Sequence, residues 1–233
     1  MKYSFLFISL GSVLAALNFS AGFNPVTAWF AVAFIFVGIG YSTPGNVAVF
    51  GKNAAGRISP VSFTLMFPYL LTLLAVWNLL RLFRKEEPFH ELIPGVFIGR
   101  RLKGREMPEK MDAVLDLTCE FFEPESIVRS KKYISFPIMD GFIPDEKKLL
   151  ELIYSLEGVR GNLYIHCAEG HGRTGLIAMC ILLSRGLAAD PAEALAAIRK
   201  VRKGVGLSVV QRKFMEKIQD KFKREKPEKR VAS

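Results

Sequence analysis

Two long stretches without charged residues constrain most strongly what this chain can fold into. No Asp, Glu, Lys or Arg occurs in residues 3–51, and none occurs in residues 58–80. A bilayer core requires about 20 apolar residues per helix. The first stretch can therefore hold two membrane-spanning helices, over 3–22 and 25–41, and the second can hold one more. This pattern excludes a wholly soluble protein.

The first apolar run also allows a different interpretation. Lys2 followed by apolar residues resembles the start of a signal peptide. A single basic residue, the lack of a small-x-small cleavage site and a second span immediately afterwards favour a membrane helix instead.

The orientation of the three segments follows from the basic residues beside them. Lys52 and Arg57 lie between the second and third segments, and Arg81, Arg84 and Lys85 follow the third. If all three segments crossed the bilayer, these two basic groups would lie on opposite sides, against the positive-inside rule. We therefore expect segment 58–80, which contains two prolines, to dip into the membrane or lie at its surface. The rest of the chain would then be cytoplasmic.

Residues 81–233 have the composition of an ordinary globular domain. They carry 29 of the 32 basic and all 22 acidic residues, so they hold +7 of the net charge of +10. About 150 residues are enough to bury a core. The surplus positive charge is spread along the chain without interleaved aromatic residues, so we expect a membrane partner and no nucleic acid.

Short β-type runs alternate with helical patterns in this part of the chain. The strands are predicted over 95–99, 113–118, 133–138 and 163–167. Helices are predicted over 144–156, over 173–185, after the capping residue Asp190, and after Ser208. Such alternation predicts an α/β fold with a mainly parallel sheet flanked by helices. The predicted organisation is a membrane anchor (1–83), a linker (84–90), a catalytic domain (91–223) and a charged tail (224–233).

The segment that carries chemistry reads Leu-Tyr-Ile-His-Cys-Ala-Glu-Gly-His-Gly-Arg-Thr-Gly over 163–175. A predicted strand runs into Cys167, a glycine-bearing loop follows, and a helix begins at Arg173. This order places a thiol in a nest of backbone N–H groups, which bind a dianion and stabilise a thiolate. Arg173 can grip two phosphate oxygens, and Gly170 and Gly172 permit a tight loop.

The other two cysteines serve as internal controls. Six residues beyond Cys119 is Glu125, and six beyond Cys180 is Gly186, so neither has the arginine. Both thiols are predicted to be buried and inert. Three cysteines without a CxxC pair also argue against a disulfide scaffold and a structural zinc site.

The sequence His166-Cys167-x5-Arg173-Thr174-Gly175 resembles the signature of the cysteine-dependent protein tyrosine phosphatase superfamily, and residues 91–223 are similar to its dual-specificity branch. The resemblance implies a Cys167 thiolate that attacks phosphorus, with Arg173 holding the phosphate oxygens. It also implies that Thr174 assists the departing sulfur and that His166 orients the loop and helps to keep the thiol ionised. Phosphate would be bound by the loop residues Ala168, Glu169, Gly170, His171, Gly172 and Arg173, with neither a cofactor nor a metal.

The family also requires a general acid on an upstream loop. The sequence Phe-Pro-Ile-Met-Asp-Gly-Phe-Ile-Pro over 136–144 resembles that loop, and Asp140 is predicted as the acid. Asp145 is the competitor, but its place at a helix start favours a capping role. Asp116, at a strand end, is predicted to be structural.

Several polar residues keep two interpretations. His171 can shape the substrate entrance or be a solvated spacer, and Glu169 can bind loop amides or face water. Gln211 resembles a position that places the hydrolytic water in some relatives, or it merely starts a helix. A basic run can attract anionic lipid or phosphoprotein, although such a run is usually a solvated helix end; it comprises Arg199, Lys200, Arg202 and Lys203.

Two functions remain from the sequence. The first is a membrane-anchored phosphatase acting on phosphotyrosine, and also on phosphoserine or phosphothreonine, in proteins. The alternative is a phosphatase of the same fold that acts on a phospholipid, with a phosphatidylglycerophosphate- or phosphoinositide-type head group. The absence of lysines in the loop and the acidic Glu169 disfavour a polyphosphorylated head group. A phosphate-binding module without activity is disfavoured by Cys167, Arg173 and Asp140, and a rhodanese-like sulfurtransferase by the Arg-Thr-Gly ending.

Overall fold

Three apolar helices precede an α/β domain in the computed structural model, which describes residues 2–42 and 47–224. Helix α1 spans Lys2–Ser20, α2 spans Pro25–Ser42 and α3 spans Pro60–Phe83. All three are long and apolar enough to cross a membrane, by length and composition. These helices match the predicted segments. The predicted charged tail from 225 onward lies outside the described residues.

Helices α1 and α2 form a tightly packed hairpin, and small residues are the reason. A Cβ atom added to Gly11 of α1 would lie 2.6 Å from the Ile35 side chain, and one added to Gly38 of α2 would lie 2.7 Å from that of Ile8. The two backbones can approach this closely because neither position has a side chain, a common device between helices in membranes.

The α/β domain is built on a five-stranded sheet in the order β1-β2-β5-β3-β4. Strand β1 is antiparallel to β2, and the other pairings are parallel. The strands are β1 (Phe89–Ile93), β2 (Val96–Arg100), β3 (Ala113–Thr118), β4 (Lys132–Ile138) and β5 (Leu163–Cys167). The predicted mainly parallel sheet is confirmed. Strand β1 begins inside the segment predicted as a linker. Its sequence Phe-His-Glu-Leu-Ile follows a charged run, and two adjacent polar residues interrupt its apolar ones.

Helices cover this sheet as the α/β prediction requires. They are α4 (Glu125–Ser130), α5 (Glu146–Glu157), α6 (Gly172–Ser184), α7 (Pro191–Val201) and α8 (Val209–Arg224), and short 3-10 turns occupy Val47–Phe50 and Gly104–Glu106. The main core lies between the sheet and α5–α8. Asp190 caps α7 by accepting a hydrogen bond from the Glu193 N–H at 2.8 Å. Helix α4 has only six residues and was not predicted.

The helical region and the α/β domain share buried contacts. Cys119 and Met139 of the domain pack in one cluster with residues of α2 and α3, including Phe34 and Tyr69. The segment between α2 and α3 also enters the domain, where Lys52 Nζ lies 2.5 Å from Asp116 Oδ2, with both side chains buried. The two regions therefore form one packed unit at the carboxyl end of the sheet.

Candidate active site

Cys167 ends strand β5, and helix α6 begins five residues later, so the intervening loop lies at the carboxyl edge of the parallel sheet, where α/β folds form their sites. The Gly170 N–H donates a hydrogen bond to Cys167 Sγ at 3.2 Å. Gly170 has φ +73°, and a Cβ there would overlap the backbone of Gly99. Only glycine therefore fits this point of the loop, which turns its amides toward the thiol.

Arg173 is held by a buried partner that the sequence did not predict. Its Nη1 and Nη2 atoms donate to the two carboxylate oxygens of Glu120 at 2.9 and 2.7 Å, and Nη1 also donates to the Ile138 carbonyl at 3.0 Å. Burial acts to raise the pKa of Glu120, but the charge and hydrogen bonds of Arg173 keep it below its ordinary value. Glu120 is therefore a carboxylate, and it fixes the plane of the guanidinium.

A signal for Glu120 was present in the sequence. The residue lies two positions after β3, and β3 is the neighbour of β5 in the sheet. The carboxyl ends of adjacent parallel strands meet at one edge, so an acidic residue at that point is expected close to the catalytic loop.

Asp140 follows β4 and faces the loop. Its Oδ1 lies 3.4 Å from Arg173 Nε, and its Oδ2 accepts a 3.4 Å hydrogen bond from the hydroxyl of Tyr3 in α1. The Asp140 side chain is 47% exposed, so it is open to solvent or substrate. Asp145 instead accepts a hydrogen bond from the Lys148 N–H and caps α5, as predicted.

Gln211 holds the Asp140 loop. Its Nε2 donates to the Phe142 carbonyl at 3.0 Å, and its Oε1 accepts from the Ser208 N–H at 3.0 Å. The Ser208 hydroxyl also donates to the Gly141 carbonyl. Both ends of the Gln211 amide are thus occupied, and the residue ties the start of α8 to the loop that carries Asp140.

The polar residues of the catalytic loop pair with the segment that follows α3. Glu169 forms an ion pair with Arg84, and His171 Nε2 lies 2.7 Å from Glu86 Oε2. Glu86 in turn pairs with Arg202 at 2.8 Å. His171 lines the cleft but is paired, so it is not a free solvated spacer.

Arg202 is buried, although the basic run to which it belongs was expected to be a solvated helix end. Its side chain is only 1% exposed, and its Nε and Nη2 atoms donate to the carbonyls of Gly170 and Glu169 at 2.8 and 3.0 Å. Arg202 is the C-cap residue of α7, where the chain leaves the helix and the guanidinium points into the protein. A run of bases in the sequence does not distinguish the one that turns inward.

His166 and Thr174, the other two predicted catalytic residues, are both fully buried. His166 Nδ1 lies 3.4 Å from the Cys167 carbonyl oxygen. Burial lowers the pKa of His166 to about 4, so the ring is neutral near pH 7 and supplies no positive charge to the thiol. The Thr174 hydroxyl has no hydrogen-bond partner among the residues that the structure describes.

A buried polar cluster lies behind the loop. Asp116 accepts hydrogen bonds from Lys52, Thr118 and Tyr133, which agrees with its predicted structural role. Burial acts to raise the pKa of Asp116, but the charge of Lys52 holds it well below its ordinary range. Asp116, Glu123 and His166 could together offer three ligand atoms to a metal ion. The Lys52 ammonium in contact with Asp116 repels a cation at that position.

The cleft above Cys167 is formed by both regions of the protein and has a volume of about 430 Å³. The α/β domain contributes the catalytic loop, Glu120 and Asp140. The other wall consists of apolar side chains from the three helices, namely Tyr3, Phe7, Tyr41, Tyr69, Leu73, Val76, Trp77 and Leu80. A substrate bound above the thiol therefore borders apolar helices on one side.

Comparison with known proteins agrees with this geometry. Residues 109–219 match the family model described as the Swiss Army Knife protein, DSP-PTPase phosphatase domain. A putative tyrosine phosphatase, 197R, of Invertebrate iridescent virus 6 is 43% identical over 67 residues, an alignment that covers 25% of each protein. The chain thus spans about a quarter of that curated relative.

Similar solved structures share the fold of the α/β domain. Tk-PTP in its active form is 27% identical, with a TM-score of 0.52, and the match covers 57% of this chain and 97% of that one. PTPMT1 in complex with PI(5)P is 17% identical, with a TM-score of 0.50, and the match covers 59% and 97%. The predicted fold class and family are confirmed, because residues 109–219 match a DSP-PTPase phosphatase domain and the α/β domain shares the fold of these solved phosphatases.

Proposed function

We propose that this protein is a membrane-anchored phosphomonoester hydrolase that works through a phosphocysteine intermediate on Cys167. One observation carries the proposal. The Cys167 thiol, the Arg173 guanidinium and the Asp140 carboxyl group line one cleft, with an N–H of the loop bonded to the sulfur. These are the nucleophile, the anion-binding group and the acid that phosphoryl transfer to a thiol requires.

The hydrogen bonds of Arg173 indicate how it would bind phosphate. A guanidinium has five N–H groups, of which Glu120 takes two and the Ile138 carbonyl takes one. The N–H of Nε and the second N–H of Nη2 remain, and they form the side edge of the group. This edge can donate two parallel hydrogen bonds to two phosphate oxygens.

In the first step, the Cys167 thiolate attacks phosphorus, and an S–P bond forms as the ester P–O bond breaks. Asp140, protonated at this stage, gives its proton to the departing oxygen. In the second step, Asp140 takes a proton from water, the resulting hydroxide attacks phosphorus, and the S–P bond breaks to restore the thiolate. The unpartnered Thr174 hydroxyl would donate to the sulfur as it leaves.

Matched serine variants test the nucleophile in the full chain. Cys167→Ser is expected to abolish hydrolysis of a soluble aryl phosphate, because a serine hydroxyl is a far weaker nucleophile at neutral pH. Cys180→Ser is the control, since Cys180 is buried in α6 beside Met215. Turnover by Cys167→Ser at the wild-type rate would refute the mechanism, whereas loss in both variants would indicate misfolding.

The apolar wall of the cleft favours a lipid phosphate monoester as the substrate. Val76 and Leu80 line the cleft, and they are also 48% and 46% exposed. The cleft therefore opens onto the apolar outer surface of α3, along which acyl chains can lie while the phosphate reaches Cys167. The Glu169 charge is paired with Arg84, but the loop has no lysine, which favours a head group with one phosphate over a polyphosphorylated one.

Phosphotyrosine in a membrane-associated protein is the second candidate. The similarity to the viral putative tyrosine phosphatase supports it. The aromatic side chains of Tyr3, Tyr41 and Tyr69 in the cleft wall can also accommodate a phenyl ring. Purified full-length protein in mixed micelles, assayed on phosphotyrosyl peptide, phosphoseryl peptide and phosphatidylglycerophosphate, decides between the two.

The proposed location is a membrane, with the α/β domain in the cytoplasm. Both halves of α3 contact the domain: Met66 and Tyr69 pack in one cluster with Cys119, and Arg81 donates to the Arg101 carbonyl. This arrangement supports α3 lying along the domain at the membrane surface, as expected from the positive-inside rule. A reporter fused after Arg84 tests the proposal, because activity only outside the cytoplasm would contradict it.

A further inference from the structure

We infer that α3 supports the catalytic loop and that Trp77 is a positioning residue, whose indole N–H fixes the carbonyl of Ala168. This inference rests on the proposed function, in which the loop binds the phosphate. It assigns to an apolar helix, whose composition indicates only a membrane anchor, a part in the geometry of the reaction.

A loop that turns its N–H groups toward a bound anion must direct carbonyl groups outward. Each buried carbonyl needs a donor, since an unpaired one costs free energy comparable to a lost hydrogen bond. The donors on the outer side therefore determine how firmly the inner N–H groups are aimed at the phosphate.

The donors to this loop come from two directions. Arg202 of the α/β domain donates to the carbonyls of Gly170 and Glu169. The Ala168 carbonyl, next to the nucleophile, accepts a hydrogen bond from the Arg101 N–H at 3.2 Å and another from Trp77 Nε1 at 3.2 Å. The second of these is supplied by α3, 91 residues earlier in the chain.

The Trp77 ring is held in one orientation by its neighbours, so its indole N–H points to the Ala168 carbonyl. It is 4% exposed, and its centroid lies 4.5 Å from the Arg81 guanidinium carbon and 5.3 Å from that of Arg101. Phe121 packs against it with ring centroids 5.7 Å apart. Because the indole cannot rotate away without losing these contacts, a displacement of α3 would be transmitted to the Ala168 carbonyl.

The outward face of the same helix explains why this contact matters. Leu79, Leu82 and Phe83 follow Trp77 and are 55%, 78% and 76% exposed. Apolar surface of this kind is stable when it is buried in lipid. The seating of α3 in the membrane and the position of the catalytic loop are therefore mechanically linked through Trp77.

The two tryptophans of the chain provide a matched experiment. Trp29 also donates its Nε1 proton to a backbone carbonyl, that of Thr64 at 3.1 Å, and its ring stacks on Phe67. The contact joins α2 to α3 and does not border the catalytic cleft. Trp77→Phe and Trp29→Phe thus remove the same N–H group from a hydrogen bond to a backbone carbonyl, which is buried at the site for Trp77 and exposed away from it for Trp29.

Three measurements are made on full-length protein in lipid micelles. For Trp77→Phe, kcat on a soluble aryl phosphate is expected to fall by about threefold to tenfold, the equivalent of one hydrogen bond, with little change in KM. Inhibition by orthovanadate should weaken by a similar factor, and alkylation of Cys167 by iodoacetamide should slow. Trp29→Phe should match the wild type in all three.

The outcomes separate this inference from the proposed function. Wild-type kcat, vanadate inhibition and alkylation rate in Trp77→Phe would overturn the positioning role while leaving the hydrolase intact. An inactive wild type would refute the hydrolase, but slower alkylation in Trp77→Phe alone would still support the role of Trp77. If Trp77→Phe fails to fold, benzothienylalanine at position 77 keeps the ring shape without the N–H and gives the same readouts.

Discussion

The α1–α2 hairpin and helix α3 are equally apolar, yet they meet the α/β domain in different ways. Mean hydropathy is 1.5, 1.6 and 1.7 for the three helices, so composition does not distinguish them. The hairpin touches the domain near one end, where Tyr3 contacts Asp140 and Tyr41 packs on Phe142. At its other end, Phe19 and Phe23 are 91% and 80% exposed.

Helix α3, in contrast, contacts the domain along its length and supplies a donor to the catalytic loop. A helix of 24 residues is about 36 Å long, which is enough to cross a bilayer, but its contacts with the domain run from Met66 to Arg81. The comparison teaches that a helix apolar enough to cross a membrane can instead serve as a wall of the candidate active site.

Asp140 lies where the two regions meet, and its substitution is expected to have the largest effect of the three variants that test this comparison. Asp140→Asn should lower kcat by about 100-fold for an alkyl phosphate, whose leaving group needs a proton. The loss should be small for p-nitrophenyl phosphate, whose leaving group does not. Measured kcat values on the two substrates check the prediction.

Asp145→Asn is the matched control, because the residue lies on the same loop but caps α5, and asparagine caps a helix equally well. It should behave as the wild type on both substrates. Equal losses of Asp140→Asn on both substrates would show that Asp140 acts through the loop structure rather than as an acid.

The apolar wall gives a smaller effect that is specific for lipid substrates. Val76→Asn places an amide where α3 lines the cleft, and kcat/KM for a lipid phosphate should fall by about tenfold because acyl contacts are lost. Aryl phosphate turnover should change much less. Val61→Asn is the control, since Val61 is 79% exposed on the same helix and does not line the cleft. A similar fall on both substrates would argue against a lipid path along α3.

The contiguous part of the site could be predicted from the sequence, whereas the contacts of its distant partners could not, even where the position after a strand, as for Glu120, pointed to the same edge of the sheet. Cys167 and Arg173 lie in one strand–loop–helix unit, so their spacing alone brings them together. Glu120, Arg202 and Trp77 reach the same loop from β3, α7 and α3, and only the tertiary fold sets these distances.

The same limit applies to the fold. Short apolar runs in the sequence predicted the strands β2 to β5, because strands buried in a parallel sheet are continuous apolar runs. They did not predict β1, an edge strand interrupted by the adjacent polar residues His90 and Glu91, or the path of α3. Hydropathy shows that α3 is apolar, but only the structure shows the surface against which the helix packs.

The remaining prediction concerns stability and not turnover, at the cluster where Lys52 of the helical region meets Asp116. Burial, followed by the charge of Asp116, raises the pKa of Glu123 from 4.5 to about 8. A raised carboxyl pKa contributes stability that is complete below pH 4.5 and is lost as the pH rises through 8. Between pH 6.5 and 8, this loss amounts to about 2 kcal/mol.

Glu123→Gln keeps the neutral form of the side chain, so the free energy of unfolding should stay level over that range while the wild type declines. Below pH 6.5, the buried neutral His166, with its pKa lowered to about 4, acts in the opposite direction. As the pH falls from 6.5 to 4.5, the wild type gains stability from Glu123 and loses it from His166, so the two changes offset each other. The variant has only the His166 change and should lose stability as the pH falls. Denaturant unfolding at each pH measures both ranges, and parallel pH profiles would mean that Glu123 is ionised in the folded protein.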